Sequence, residues 1–131
     1  MSEIIERIKA IREQRIILET QEKEIILSLN CKNYEVEKVY REFLKAIEQE
    51  QFTCYNQKKM FVYVCTSICC PTALIGDRLK SGIRFKMSKV TALHKTQISH
   101  IIGEVSISYK IYKEFKTQAD YLYEEIKRSL V

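Results

Sequence analysis

The chain has 131 residues, 46% of them apolar, which is enough to bury one hydrophobic core but little for two. One proline and three glycines argue against turn-rich sandwiches and barrels, so the composition predicts an all-α protein. The net charge of +5 is uneven, because residues 53–131 hold 13 of the 22 basic residues and only 6 of the 17 acidic ones. No apolar run is long enough to span a membrane and the first residues are rich in charge, so we expect a cytoplasmic protein without membrane contact.

Residues 1–30 are predicted to form a long amphipathic helix. Positions 4, 8, 11, 15, 18, 22, 25 and 29 step by four and three, which is the spacing of a coiled-coil seam. Arg15 and Glu22 interrupt the seam, and isoleucines beside it widen the apolar stripe, as in a helix packed on its own domain. Two interpretations therefore stay open, a homodimer through this helix and packing within the chain. The apolar seam residues are Ile4, Ile8, Ile11, Leu18, Ile25 and Leu29.

Residues 31–131 are predicted to form a helical domain. Asn33 is placed to cap a helix that ends near Gln51 and has one apolar face. The apolar stretch Met60–Cys70 is interpreted as a buried helix, because no partner strand is evident. Pro71 then begins a short helix, and Gly82 is predicted to end it. The apolar face of the capped helix consists of Val36, Val39, Tyr40, Phe43, Leu44 and Ile47.

The end of the chain is predicted to be a long helix from about Glu104 to Ser129. Its apolar residues repeat at steps of three and four, and Lys127 and Arg128 suit the negative end of the helix dipole. Residues 105–112 also alternate between apolar and polar side chains, which leaves open a strand of the kind that forms a wing.

One window of the sequence concentrates positive charge. Residues 78–103 contain no Asp or Glu, and they hold both histidines, His94 and His100. Such a window favours a polyanionic partner. Its basic residues are Arg78, Lys80, Arg84, Lys86, Lys89 and Lys95.

The segment Met87–Ile102 within this window resembles the helix-turn-helix of bacterial and phage transcription regulators. Ser88 is small at the position where the second helix of that motif crosses the first. Ala92 stands at the turn, where the family usually has glycine because the backbone there adopts a positive φ. Leu93 and Ile98 are apolar, as the wedge between the two helices requires. The resemblance implies a second helix that begins near His94 or Lys95.

The resemblance also implies which side chains contact duplex DNA. Gln97 is the candidate for reading adenine, and Lys95 is a candidate for a guanine or a phosphate. The residues implied at base edges are Lys95, Thr96, Gln97, Ser99 and His100. Those implied at phosphates are Arg78, Lys80, Arg84, Lys86 and Lys89.

Two functions follow as hypotheses. The first is sequence-specific duplex DNA binding by a transcriptional regulator, or by a replication or mobile-element accessory factor. The alternative is a helical protein interaction module, such as an adaptor or a phage-type inhibitor, that binds no DNA. The five cysteines form no regular framework, and Cys65, Cys69 and Cys70 suit core packing better than zinc. We expect no catalytic residue, metal, cofactor or small-molecule substrate.

Overall fold

A computed structural model of the chain describes residues 1–29, 34–48 and 54–130. These ranges hold six α-helices, one 3₁₀ helix and no strand, which confirms the all-α prediction. The α-helices are α1 (Ser2–Leu29), α2 (Val36–Ala46), α3 (Cys54–Cys69), α4 (Ser81–Thr91), α5 (Lys95–Ile111) and α6 (Lys113–Leu130); the 3₁₀ helix is Pro71–Ile75. Within the same ranges, no helix combines the length and the apolar content that crossing a membrane would require.

The chain divides into two compact units, Met1–Lys32 and Asn33–Val131. The first unit contains α1, whose side chains are exposed from Ser2 to Ile25. Its seam isoleucines Ile4 and Ile11 are 58% and 57% exposed. The long N-terminal helix is thus present, and its apolar seam residues from Ile4 to Ile25 are exposed.

The core of the second unit lies around α3. Phe61 and Cys65 of this helix are almost fully buried, as the buried-helix interpretation of Met60–Cys70 predicted. From α2, Phe43 packs its ring against Phe61 with centroids 5.4 Å apart. From α6, Leu122 and Ile126 fill the other side of the same core. The helices α4 and α5, which hold part of the basic window at residues 78–103, both pack against α3.

Some predicted boundaries were wrong. Gly76, not Gly82, ends the short helix, because Gly76 adopts the left-handed conformation at φ 105° that closes such a turn. Gly82 lies in the first turn of α4 instead. Leu44 does not belong to the buried face of α2, since it is 40% exposed. The proposed cap at Asn33 and the helix end near Gln51 fall outside the described residues.

The break near the end of the chain also lies elsewhere than predicted. Residues 105–111 continue α5, so they form neither a wing strand nor the start of the closing helix. Buried Ile98, Ile101 and Val105 form one stripe along α5, and this packing carries the helix past Gly103. The chain breaks at Tyr112, whose φ of −99° and ψ of 110° are extended. The closing helix is therefore α6, beginning at Lys113.

Candidate nucleic-acid interface

A three-residue turn joins α4 to α5. Ala92 ends α4 in the left-handed conformation, with φ 58° and ψ 24°. It is the one residue other than glycine with a positive φ among the described residues. The positive φ at position 92 is the one that the resemblance implied for this turn. Because this conformation reverses the chain within a few residues, α5 starts directly beside the end of α4.

Two side chains of α4 hold this turn in place. Thr91 is buried, and its Oγ1 donates to the carbonyl of Met87 at 2.6 Å and accepts from the amide of Leu93 at 3.4 Å. Ser88 Oγ donates to the carbonyl of Leu93. Both backbone polar groups of Leu93 are thus bonded to α4, which fixes the angle between the two helices. Met87 in turn is fully buried against α3, where the hydroxyl of Thr66 lies 3.9 Å from its sulfur.

The first turn of α5 is capped by two reciprocal hydrogen bonds. His94 Nδ1 accepts from the amide of Thr96 at 3.2 Å, and Gln97 Oε1 accepts from the amide of His94 at 2.9 Å. This is a capping box with histidine in the position that serine or threonine usually takes. The predicted start of the second helix near His94 or Lys95 agrees with α5, which begins at Lys95.

The residues proposed for base edges are all exposed at the beginning of α5. Thr96, Ser99 and His100 follow one another at helical spacing and face solvent. On the opposite side of the helix, Ile98 and Ile101 are 0% and 2% exposed and anchor it to the core. The outward face of these two turns is therefore polar and rich in hydrogen-bond donors.

Lys95 lies at the border between α4 and α5. Its ammonium nitrogen stands 5.2 Å from the centroid of the Phe85 ring, within the range of a cation–π interaction. Phe85 belongs to α4 and is 54% exposed. This contact holds the Lys95 side chain against α4. The positive charge of Lys95 therefore lies beside the outward polar face of α5 and not at the centre of that face.

The residues proposed for phosphates fall into separate groups. Arg78, Lys80 and Arg84 line an open depression together with Leu79. In the described part of the chain, Arg84 Nε is buried and no hydrogen-bond acceptor reaches it.

The remaining two candidates lie elsewhere on α4. Lys86 follows Arg84 by two positions, so the helix directs the two side chains to different sides. Lys89 is exposed on the face that also carries Phe85. The structure therefore groups three of the five phosphate candidates around one depression, which Lys86 and Lys89 do not line.

Along α5, the polar face is followed by an acidic residue. Glu104 is the single acidic residue of α5, and its carboxylate pairs with the ammonium of Lys59 on α3. Since the Glu104 side chain is 49% exposed, the pair is solvated and contributes little to stability. The pair matters more for the surface charge, because the Lys59 ammonium offsets the negative charge of the Glu104 carboxylate that follows the polar face.

The cysteines near the end of α3 pack with their surroundings. Cys65 is buried, its sulfur lies 4.0 Å from that of Cys69, and the Cys69 thiol donates to the carbonyl of Tyr34 at 3.6 Å. The hydrogen bond from Cys65, together with the nearby ammonium groups of Lys86 and Lys80, lowers the pKa of Cys69. In the ranges that the structure covers, no three His, Cys, Asp or Glu residues are grouped so as to hold a metal ion.

Three features of the site were not predicted. Thr91 is a buried polar link between helix and turn, Phe85 borders Lys95, and Gln97 caps its own helix. The last had a signal in the sequence, since Gln97 stands three residues after His94 at the spacing of a capping box. The other two depend on contacts between helices, which a linear pattern does not contain.

Comparisons with known proteins give no relative for this chain. No family model, no curated protein and no solved structure matches it.

Proposed function

We propose that this protein binds duplex DNA sequence-specifically, with the beginning of α5 in the major groove, as a transcriptional regulator or as a replication or mobile-element accessory factor. The observation that carries the proposal is the α4–α5 corner, which exposes a polar face in a stretch of sequence without acidic residues. The face is supported by a hydrogen-bonded turn and a buried apolar side, so the helix that presents it is held in place before any partner binds.

The dimensions of the groove suit this helix. An α-helix with its side chains is about 10–12 Å wide, and the major groove of B-DNA is about 12 Å wide. In such a complex Thr96, Ser99 and His100 face the base edges, because they share the outward side of α5. Lys95 and Gln97 flank this row and reach bases or phosphates at its borders.

The basic residues outside α5 supply affinity that does not depend on sequence. We expect a phosphate to bind in the depression that three cationic side chains line, those of Arg78, Lys80 and Arg84. Lys89 is exposed on α4 and offers a separate phosphate contact. Lys86 was proposed for the same role and lies on another side of α4 from Arg84, so we expect it to contribute least.

The test is fluorescence anisotropy of labelled duplexes across a salt series, followed by selection of a preferred sequence from a random pool. For the wild type we expect binding that weakens steeply with salt, because phosphate contacts release counterions. Lys89→Gln should reduce the log–log salt slope by about one and weaken all sequences alike. Ser99→Ala/His100→Ala should instead change the preferred sequence and leave the slope nearly intact.

A control variant separates this site from general positive charge. Lys110→Gln removes an exposed lysine from the last turn of α5, far from the polar face, and should leave both affinity and slope unchanged. Circular dichroism on each variant checks that the helices are retained. If the wild type binds no duplex even at low salt, the DNA proposal is wrong, and the helical protein interaction module becomes the function to test.

A further inference from the structure

The exposed seam of α1 carries an ordered pattern of charge. Its apolar residues Ile4, Ile8, Ile11 and Leu18 are between 44% and 64% exposed. Along one edge of this seam the charged residues come in two blocks, with the basic block toward the start of the helix and the acidic block toward its end. The basic block is Arg12 and Arg15, and the acidic block is Glu19 and Glu22.

These four residues share one side of the helix. In the heptad that the seam defines, Arg15 and Glu22 occupy a positions, and Arg12 and Glu19 occupy the adjacent e positions. Side chains three and four residues apart lie next to each other on a helix, so the blocks form one continuous edge. A partner along the seam therefore meets positive charge at one end of this edge and negative charge at the other.

We propose that α1 binds α1 of a second copy of this chain in an antiparallel arrangement. A parallel pair in register would place Arg15 opposite Arg15 and Glu22 opposite Glu22, with like charges facing each other at core positions. An antiparallel pair brings the a and e edges of both copies to the same side. The basic block of each copy then faces the acidic block of the other.

One register satisfies both the apolar residues and the charges. When Ile8 lies opposite Ile25 of the second copy, Arg15 lies opposite Leu18 and Glu22 opposite Ile11, so that every a position meets a d position. In this register Arg12 of one copy is offset by one residue, along the helix axis, from Glu22 of the other copy. Arg15 and Glu19 are offset by the same amount. One residue is about 1.5 Å along the helix, well within the reach of these side chains.

The proposal is independent of DNA binding and is consistent with a two-fold axis across the middle of α1. In such an interface residue i contacts residue j, and j contacts i, so each pairing between the blocks occurs twice. The partner is therefore a second copy because the seam is complementary to itself when reversed.

The deciding variant exchanges the two blocks: Arg12→Glu/Arg15→Glu/Glu19→Arg/Glu22→Arg. We expect sedimentation equilibrium of the full chain to give dimers for the wild type and for this variant alike, because the exchange restores opposite pairs. Native mass spectrometry of a mixture, with isotope-labelled wild type, should show the two homodimers and few heterodimers. A parallel coiled coil predicts the reverse, since the wild type and the variant would then present opposite charges to each other.

Two further variants separate charge pairing from charge in general. Arg12→Glu/Arg15→Glu leaves all four residues acidic and should weaken the dimer at least about tenfold. Lys9→Glu/Lys23→Glu changes the net charge equally at heptad b positions and should have a much smaller effect. A wild type that stays monomeric, or that prefers heterodimers with the exchanged variant, would overturn the proposal.

Discussion

Gln97 Oε1 accepts a hydrogen bond from the backbone amide of His94 at 2.9 Å, so a side chain proposed to read DNA also stabilises the helix that presents it. The two roles compete for the conformation of one side chain, because the cap turns the Gln97 amide back toward His94. Reading an adenine with both ends of the amide requires the side chain to turn outward instead. Binding would then release the amide of His94, at the cost of that capping hydrogen bond.

Variants at position 97 can separate the two roles. Gln97→Glu keeps an acceptor for His94 and suits the positive end of the helix dipole, so we expect unchanged or slightly higher stability. It also loses the amide donor and repels phosphates, so DNA affinity should fall. Gln97→Ala should lower both affinity and the free energy of unfolding, the latter by about 0.5–1 kcal/mol. Urea denaturation and anisotropy on the same samples test this. Wild-type affinity in Gln97→Glu would show that Gln97 only caps the helix.

The positive φ of Ala92 predicts that glycine at this position stabilises the protein. Glycine adopts φ 58° without the Cβ strain that alanine carries, and Ala92 is exposed, so no packing is lost. Ala92→Gly should raise the free energy of unfolding by up to about 1 kcal/mol, whereas Ala92→Val should lower it by about 1–2 kcal/mol. In the control Gln118→Gly, at an exposed position inside α6, glycine should instead destabilise by about 0.5–1 kcal/mol. Urea denaturation measures all three, and a stabilised Ala92→Val would contradict the strained turn.

The raised pKa of Tyr63 predicts that the protein loses stability at high pH. Burial, with a smaller effect of the neighbouring Tyr109, raises the pKa of Tyr63 to about 12. An unfolded tyrosine ionises near pH 10, so between about pH 10 and 12 the unfolded chain releases a proton that the folded chain keeps. This contribution to the free energy of unfolding is fully present below pH 10 and is lost as the pH rises toward 12.

The variant Tyr63→Phe isolates this effect. It keeps the ring that stacks on Tyr109 at 5.1 Å between centroids and removes the ionisable group. Urea denaturation across the alkaline range should show a shallower decline for Tyr63→Phe than for the wild type. Tyr121→Phe, at a tyrosine that is 56% exposed, is the matched control and should leave the decline unchanged. Equal declines in the wild type and Tyr63→Phe would rule out the assignment.

Local patterns of the sequence predicted the helices and the sign of the backbone at the turn. The apolar repeats of α6 and α1 follow from the helical period, whereas the buried run of α3 was interpreted as a helix because no partner strand is evident in the sequence. The positive φ at Ala92 was implied by the resemblance to helix-turn-helix proteins, which usually have glycine at this position of the turn. These are properties of neighbouring residues, so a linear reading captures them.

The same reading placed breaks wrongly where packing outweighs propensity. Gly82 was predicted to end the short helix, and the closing helix was predicted to begin near Glu104. Gly82 instead lies inside α4 and Glu104 inside α5, because the apolar residues that follow are buried against α3 and the rest of the core. The break at Tyr112 has no glycine or proline to announce it. It occurs where α5 leaves the core and α6 has to return to it.

The sequence by itself determined that this chain is helical, that residues 78–103 carry positive charge without acids, and that a polar row begins near residue 95. Only the tertiary structure decided how these features combine. It grouped Arg78, Lys80 and Arg84 around one depression and brought Lys95 against Phe85. The physical reason is that charge and periodicity are carried by single residues and their neighbours, whereas the position of a side chain on a surface depends on which helix its own helix is packed against.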